Sequence, residues 1–146
     1  AVNVSARQIA ERDFVRRLQA ILAEHAVRDG ELTIEITESV LQHIEASRQT
    51  LLALRALGVR VAIDDFGAGF SALGLLRHLP IDALKIDRSL IADLAENRSD
   101  VAIVGAIVAM ARTLGVTVTA EGIETGEQRA LLTRLGCGYG QGFLFG

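Results

Sequence analysis

The stretch Val59-Arg60-Val61-Ala62-Ile63-Asp64-Asp65-Phe66-Gly67-Ala68-Gly69 runs a β-branched segment straight into two adjacent acids and then into a glycine-rich turn. It predicts a buried strand over 59–63 with carboxylates flush against its C-terminal end. The same grammar recurs along the chain. A short β-branched apolar run ends in polar or acidic residues, and an amphipathic helix follows. Strand-like runs cover 1–4, 32–36, 59–63, 83–86, 116–120 and 139–145; helices are predicted over 6–27, 40–57, 71–78, 89–95, 100–114 and 126–135. Buried-type strands alternating with helices mean parallel β/α units and an α/β fold. Six such strands fit either an open doubly wound sheet or most of an eight-stranded (β/α) barrel, which takes about 250 residues.

Local signals agree with these boundaries. Ser5 with Gln8, and Thr125 with Gln128, have the spacing of a capping box at a helix start. Gly30, Gly58, Gly115 and Gly136 stand where helices must end in a left-handed residue. Val40, Ile44, Leu51, Leu54 and Leu57 fall largely on one stripe of the second helix.

Composition removes several classes of function. The chain has 146 residues, half of them apolar and 23% charged, so it forms a core. The net charge of −3 and a pI of about 5.6 argue against DNA or RNA binding, which needs a basic stripe. A phosphate-bearing ligand would need a few Arg or Lys, or metal ions. One cysteine, Cys137, excludes an internal disulfide and suits a reducing compartment. No apolar stretch is long enough for a membrane span, so no membrane contact is expected of this segment. The first residue is not Met and the last follows a strand-like run, so 1–146 is read as one domain cut from a longer barrel.

The strand ends carry the chemistry. Asn3 lies on the first strand, Glu35 and Glu38 on and after the second, Asp64 and Asp65 after the third. Lys85 and Asp87 sit on and after the fourth, Glu121 and Glu124 after the fifth, and Gln141 in the last. A carboxylate after a strand is often the N-cap of the next helix. Glu35 and Asp64 fit that poorly, because each abuts the apolar strand before a helix can begin. In a barrel all strand C-termini meet on one rim, where active sites lie. So many oxygen side chains there require a compensating cation. Asp, Glu and Asn without Cys or His suit Mg²⁺ or Mn²⁺ rather than zinc; His25, His43 and His78 lie on helical segments and stand apart. Asp64 beside Asp65 suits a two-metal centre, one acid bridging and the other on the second ion, which is chemistry for phosphoester hydrolysis.

The loop after Asp65 also contains Gly67-Ala68-Gly69-Phe70-Ser71-Ala72, with Asp87 twenty residues beyond Gly67, a look-alike of the dinucleotide-binding fingerprint. Two carboxylates directly before the glycines would repel a pyrophosphate, and the other acidic strand ends would go unexplained. A mobile rim loop hinged on Gly67 and Gly69 uses the glycines better.

Taken together, Val2-Asn3-Val4-Ser5, Glu35-Ile36-Thr37-Glu38, Asp64-Asp65-Phe66-Gly67-Ala68-Gly69, Leu84-Lys85-Ile86-Asp87, Ala120-Glu121-Gly122-Ile123-Glu124 and Gln141-Gly142 make the chain resemble the EAL-domain cyclic-di-GMP phosphodiesterases of bacterial signalling. The resemblance covers the whole chain. It implies a TIM-like (β/α)₈ barrel with one antiparallel strand near its start, here about six βα units of it. It also implies hydrolysis of cyclic-di-GMP to linear pGpG with two Mg²⁺ or Mn²⁺ ions. By matched position, Asn3, Glu35 and Asp64 resemble ligands of the first metal, with Asp64 as the bridge, and Asp65 resembles a ligand of the second. Lys85 resembles the lysine that contacts the nucleophilic water. Glu121 resembles the general base or second-metal support, and Gln141 the glutamine near that water. Glu38 and Glu124 resemble supporting residues, Glu124 by steadying the glycine loop, and Asp87 a substrate-binding residue. Ala68 and Phe70 replace the Thr and Tyr frequent in the family.

The Glu-Ala-Leu tripeptide that names the family, whose glutamate is a first-metal ligand, does not occur in these residues. Two barrel strands before residue 1 and the last barrel helix are expected outside them. The 146 residues alone are then expected to be nearly inactive and to associate. A degenerate domain that binds cyclic-di-GMP or a protein partner without cleaving it is the alternative. The resemblance further implies a homodimer, sensory or cyclase domains in a parent chain, a role in biofilm control, and a bacterial cytoplasmic setting, either free or as the cytosolic part of a membrane-anchored sensor.

Overall fold

The β-branched runs form six strands: β1 (Val2–Asn3), β2 (Thr33–Thr37), β3 (Arg60–Phe66), β4 (Ala83–Ile86), β5 (Thr117–Ala120) and β6 (Tyr139–Gly140). Between them lie α1 (Ala6–Ile9), α2 (Phe14–Glu24), α3 (Ile44–Ala56), α4 (Leu73–Leu76), α5 (Arg88–Ala92), α6 (Arg98–Leu114) and α7 (Gly126–Leu135), with 3₁₀ turns at Glu38–His43 and Phe143–Phe145. The structure is a computed structural model. It describes residues 1–69 and 73–146, and only the backbone at 41–46, 73 and 75. The predicted start of helix 71–78, the side chains of His43 and Ile44, and Phe70 lie outside the described residues.

All five strand pairings are parallel, and the spatial order is the sequence order, β1 through β6. A doubly wound sheet reverses its order at a switch point. This one never does, so of the two architectures the residues allowed, it is the arc of a (β/α) barrel. The period-two pattern supplies its two faces. Ile34 and Ile36, Val61 and Ile63, Leu84 and Ile86, Val118 and Ala120 are all buried beneath the helices. Thr33, Glu35, Thr37, Lys85 and Thr119 alternate with them on the concave face. The covering layer is equally regular: α6 buries Val104, Ile107, Val108 and Ala111, a one-sided stripe. Both capping boxes are made, at Ser5–Gln8 and Thr125–Gln128, and Gly58, Gly115 and Gly136 end their helices at positive φ; Gly30, also at positive φ, ends no helix but lies in a turn five residues beyond His25, the C-cap of α2.

Three predicted boundaries are corrected. The helix expected over 6–27 is two helices, α1 and α2, broken at residues 10–13. Ile9 is fully buried, and a continuous helix at 100° per residue would place Leu18 about 180° round from it. The break lets Ile9 and the Phe14–Leu18–Leu22 stripe both turn toward the core. The helix over 40–57 begins as α3 only at Ile44, after a 3₁₀ turn. The last strand stops at Gly140 instead of continuing to 145. There Gly142, at φ +150°, crosses the backbone of Ile123 so closely that a Cβ would lie 2.3 Å from both its N and its O. Ile123 donates to the Gln141 carbonyl and accepts from the Leu144 N–H, so the chain clasps the segment after β5 rather than extending the sheet.

Ile9→Ala should lower the unfolding free energy by about 2–5 kcal/mol, since it empties a closed site. Ile21→Ala, at a position 51% exposed on α2, should change it by less than about 0.5 kcal/mol. Urea unfolding of the two variants distinguishes the broken helix from a continuous one that buries a single face.

Candidate active site

The acids meet because β3 does not end where its apolar run ends. It continues through Asp64 and Asp65 to Phe66, with a register irregularity against β4 between Ile63 and Phe66. Asp65 sits at φ +53°, a left-handed conformation that Asp tolerates better than most residues. In an ideal strand neighbouring side chains face opposite ways. The irregularity removes that conflict: carboxylate oxygens of Asp64, Asp65 and Glu121 all lie within 4.8 Å of one another. Phe66, fully buried, anchors the far side of the bulge.

Lys85 stands at the centre. Its Nζ is 2.6 Å from Glu121 Oε1, 3.0 Å from Asp64 Oδ1 and 3.2 Å from Glu35 Oε2, and all four side chains are largely buried. One ammonium thus ties β2, β3, β4 and the end of β5. Burial alone would lower its pKa; the bonds to Glu121, Asp64 and Glu35 outweigh burial and hold it above the ordinary lysine range. Four carboxylates, counting Asp65, face this single cation. Burial accordingly lifts the Glu121 carboxyl above its usual range; Lys85 opposes that shift, and Asp64 and Asp65 add to it. Burial, with the charges of Asp64 and Asp87, likewise raises Asp65. Gln141 Nε2 donates to Glu121 Oε1 at 2.7 Å and fixes its rotamer.

The other predicted residues take distinct places. Asn3 is the register partner of Glu35 at the edge of the sheet and is exposed. Glu38 Oε2 accepts from the Gly67 N–H at 3.2 Å and lies beneath Gly69. This corrects the assignment of loop steadying to Glu124: among the described residues Glu38 makes that bond, whereas Glu124 is exposed and its N–H donates to Gln128. Asp87 caps α5 by accepting from the Ser89 N–H; although burial raises it, the bonds from Ser89 hold its carboxyl below the usual range. His25 ends α2 and His78 lies beside Arg77, both exposed and outside the acid cluster.

A cavity of about 440 Å³ opens beside Asp65 and Glu121, lined also by Asp87, Arg88, Gly122, Glu124, Gln141 and Phe143. Sequence reasoning missed Arg88 and Phe143. The signal for Arg88 was a base directly after an acid at a strand end; Phe143 was hidden inside a run read as strand. The cavity pairs a carboxylate wall with a guanidinium and an exposed ring. The excess of carboxylates over ammonium, all oxygen donors, fits hard divalent cations.

A profile of the EAL domain family matches residues 1–146. The chain is 47% identical over 147 residues to the bifunctional diguanylate cyclase/cyclic di-GMP phosphodiesterase MucR of Pseudomonas aeruginosa, covering all of this chain and 22% of that protein. The solved c-di-GMP complex of the PaMucR phosphodiesterase superposes with a TM-score of 0.92 at 46% identity, over 99% of this chain and 59% of that one. The manganese/cy-diGMP complex of Klebsiella pneumoniae BlrP1 superposes with a TM-score of 0.89 at 38% identity, over 97% and 37%. The chain therefore spans about a fifth of the relative it matches in sequence.

Asp65→Asn should leave the left-handed geometry intact and remove a carboxyl whose folded pKa is raised. Such a group stabilises the fold fully below its ordinary pKa and loses that contribution as pH rises through the raised one. In chelator, the variant should therefore show a higher urea midpoint than the parent chain at pH 7 and the same midpoint at pH 3. Added Mn²⁺ should reverse the order at pH 7, because the parent alone keeps the ligand.

Proposed function

The chain belongs to the EAL domain family, and from that membership we propose that it supplies the carboxylate rim of a cyclic-di-GMP phosphodiesterase domain, as part of one barrel. The observation that carries this reading is the convergence of Glu35, Asp64 and Glu121, from three different strands, on Lys85, with Asp65 alongside. A module that only bound nucleotide would not need so many uncompensated buried acids. The relatives named for cyclic di-GMP phosphodiesterase activity, and complexes with c-di-GMP among the neighbours, support the substrate class.

Asn3, Glu35 and Asp64 would hold one Mg²⁺ or Mn²⁺ ion, and Asp65 and Glu121 a second, with Asp64 shared. When bound, the ions supply positive charge to the phosphodiester oxygens and make a water more acidic. The protein groups do the rest. Glu121 is held in one rotamer by Gln141, where an oxygen not given to the ion would take a proton from the attacking water. Lys85, a donor with its Nζ among the carboxylates, orients that water's oxygen toward phosphorus. The new bond joins the water oxygen to phosphorus, the bond from phosphorus to one ribose oxygen breaks, and the proton taken up by Glu121 passes to that oxygen to make it a hydroxyl, leaving the linear dinucleotide. Arg88 and Phe143 offer a phosphate partner and a stacking face in the adjoining cavity. Glu38 holds the glycine loop over the rim through Gly67.

In the intact protein we infer a homodimer, with sensory or cyclase domains in the same chain; the name of the bifunctional relative supports the cyclase part. Among the described residues no helix is long and apolar enough to cross a membrane.

The deciding experiment is hydrolysis of cyclic-di-GMP by the full-length protein with Mg²⁺, Mn²⁺ or Ca²⁺. Asp64→Asn should abolish turnover with the fold retained, because the shared ligand loses its charge but keeps its shape. Lys85→Ala should lower kcat by about 10²–10⁴-fold with a smaller change in KM. Tight cyclic-di-GMP binding with no turnover under any of the three ions would overturn catalysis and leave a receptor.

A further inference from the structure

The capping box occurs twice, and the two copies differ in a way that helix capping does not explain. In each, a glutamine at the third helical position turns back to the cap: Gln8 Oε1 accepts from the Ser5 N–H at 3.0 Å, and Gln128 Oε1 from the Thr125 N–H at 3.0 Å. Gln8 is exposed. Gln128 is only 5% exposed, and its amide makes three more bonds. Oε1 also accepts from the Glu124 N–H at 2.8 Å, and Nε2 donates to the carbonyls of Ile91 and Ala92, both at 3.0 Å. Capping alone is served by glutamate as well as by glutamine, and a carboxylate there would also suit the helix N-terminus. Of the two, only the amide can accept from one segment and donate to another.

Those segments continue into two walls of the cavity, lined by Glu124 on one and by Arg88 on the other. The acceptor side holds Glu124 and Thr125, at the end of the stretch that begins with Glu121 and Gly122. The donor side grips the last two carbonyls of α5, whose first turn carries Arg88 after its Asp87 cap. The walls also touch directly: a Cβ on Gly122 would lie 2.6 Å from the Arg88 Cβ. Gly122 thus sets the closest approach of the walls, and Gln128 draws them together from behind.

We propose that Gln128 is a positioning residue that fixes the spacing between the Glu121–Glu124 wall and the Asp87–Arg88 wall, so that nucleotide contacts on one and carboxylate chemistry on the other stay in register. This rests on the phosphodiesterase reading for its kinetic consequences, but not for its structural ones. Gln128→Glu keeps the size and the acceptor while aiming a carboxylate oxygen at two carbonyls; Gln128→Ala removes both sides of the bridge. A displacement of about 1 Å in a reacting site costs on the order of 100-fold in kcat/KM.

The test uses the full-length protein and three measurements. Amide exchange should rise at Glu124 and Thr125 in Gln128→Ala, and within Arg88–Ala92 in both variants, with the rest of the chain unchanged. Mn²⁺ alone should bind about tenfold more weakly in Gln128→Glu, through displaced Glu121. Turnover of cyclic-di-GMP should fall about 100-fold in kcat/KM, with KM raised as well as kcat lowered. Thr125→Ala, which removes the cap and leaves the amide bridge, serves as the control: it should lower the melting temperature and leave KM and kcat in place. A parent protein without cyclic-di-GMP binding or turnover would overturn the functional reading, and the exchange and Mn²⁺ arms would still decide this one. If both Gln128 variants lose only melting temperature, with exchange, Mn²⁺ affinity and kinetics following Thr125→Ala, the residue is a cap and the proposal is overturned.

Discussion

Lys85 is one ammonium shared by three carboxylates, and the arrangement of the concave face follows from it. Like charges gathered on the inner surface of a sheet repel one another and resist desolvation, and such a group survives only around a counter-charge. Here Glu35 comes from β2, Asp64 from β3 and Glu121 from just beyond β5, so the counter-charge lies on β4 between them. Four neighbouring parts of the sheet are thereby held in register by a single side chain. The remaining excess of negative charge keeps the group ready for cations that the chain itself does not provide. Geometry and charge balance point the same way: the site gathers more carboxylate oxygens than one ammonium can balance.

Around that centre the backbone is held by close contacts on both sides. Gly142 crosses Ile123, and Gly122 meets Arg88, at distances that no side chain would allow. Glu121 therefore projects from a segment that is clasped by the end of β6 on one side and by α5 on the other. Gln141 adds a bond at the carboxylate itself. The orientation of Glu121 is set by glycine placement as much as by hydrogen bonding, a division of labour suited to the role proposed for it.

Much of this was legible in the sequence, for identifiable reasons. The parallel α/β arc followed from β-branched runs alternating with capped helices, and the rim from acids placed flush against those runs. The order of the strands was not legible from periodicity, because six units satisfy two architectures equally until pairing is known; the motif resemblance implied the barrel, and the sheet order bears it out. The break between α1 and α2 was missed because helix propensity stays high through residues 10–13. Only the five-residue step from Ile9 to Phe14, out of phase with a helix, records it. Glu124 was credited with a contact that Glu38 makes, because sequence distance to a loop says little about which strand end lies beneath it. Gln128 was recognised as a cap, but the bonds of its Nε2 to α5 join residues 36 and 37 apart and leave no local trace.

The bulge at Asp65 narrows the alphabet of the site in a way that charge alone would not. An acid is wanted there, yet the residue sits at positive φ, where a longer or branched side chain is strained. Aspartate and glutamate, interchangeable in many surface positions, are therefore not equivalent at this one: glutamate would keep the charge and strain the backbone by about 1–2 kcal/mol. Asparagine would keep the backbone and lose the charge. In the lineage of this chain the position is thus poised between two single-step losses of different kinds, one toward a strained rim and the other toward an unstrained rim with weaker hold on a cation. The second costs the fold less, so that is the direction in which such a domain would drift if selection for its chemistry were relaxed.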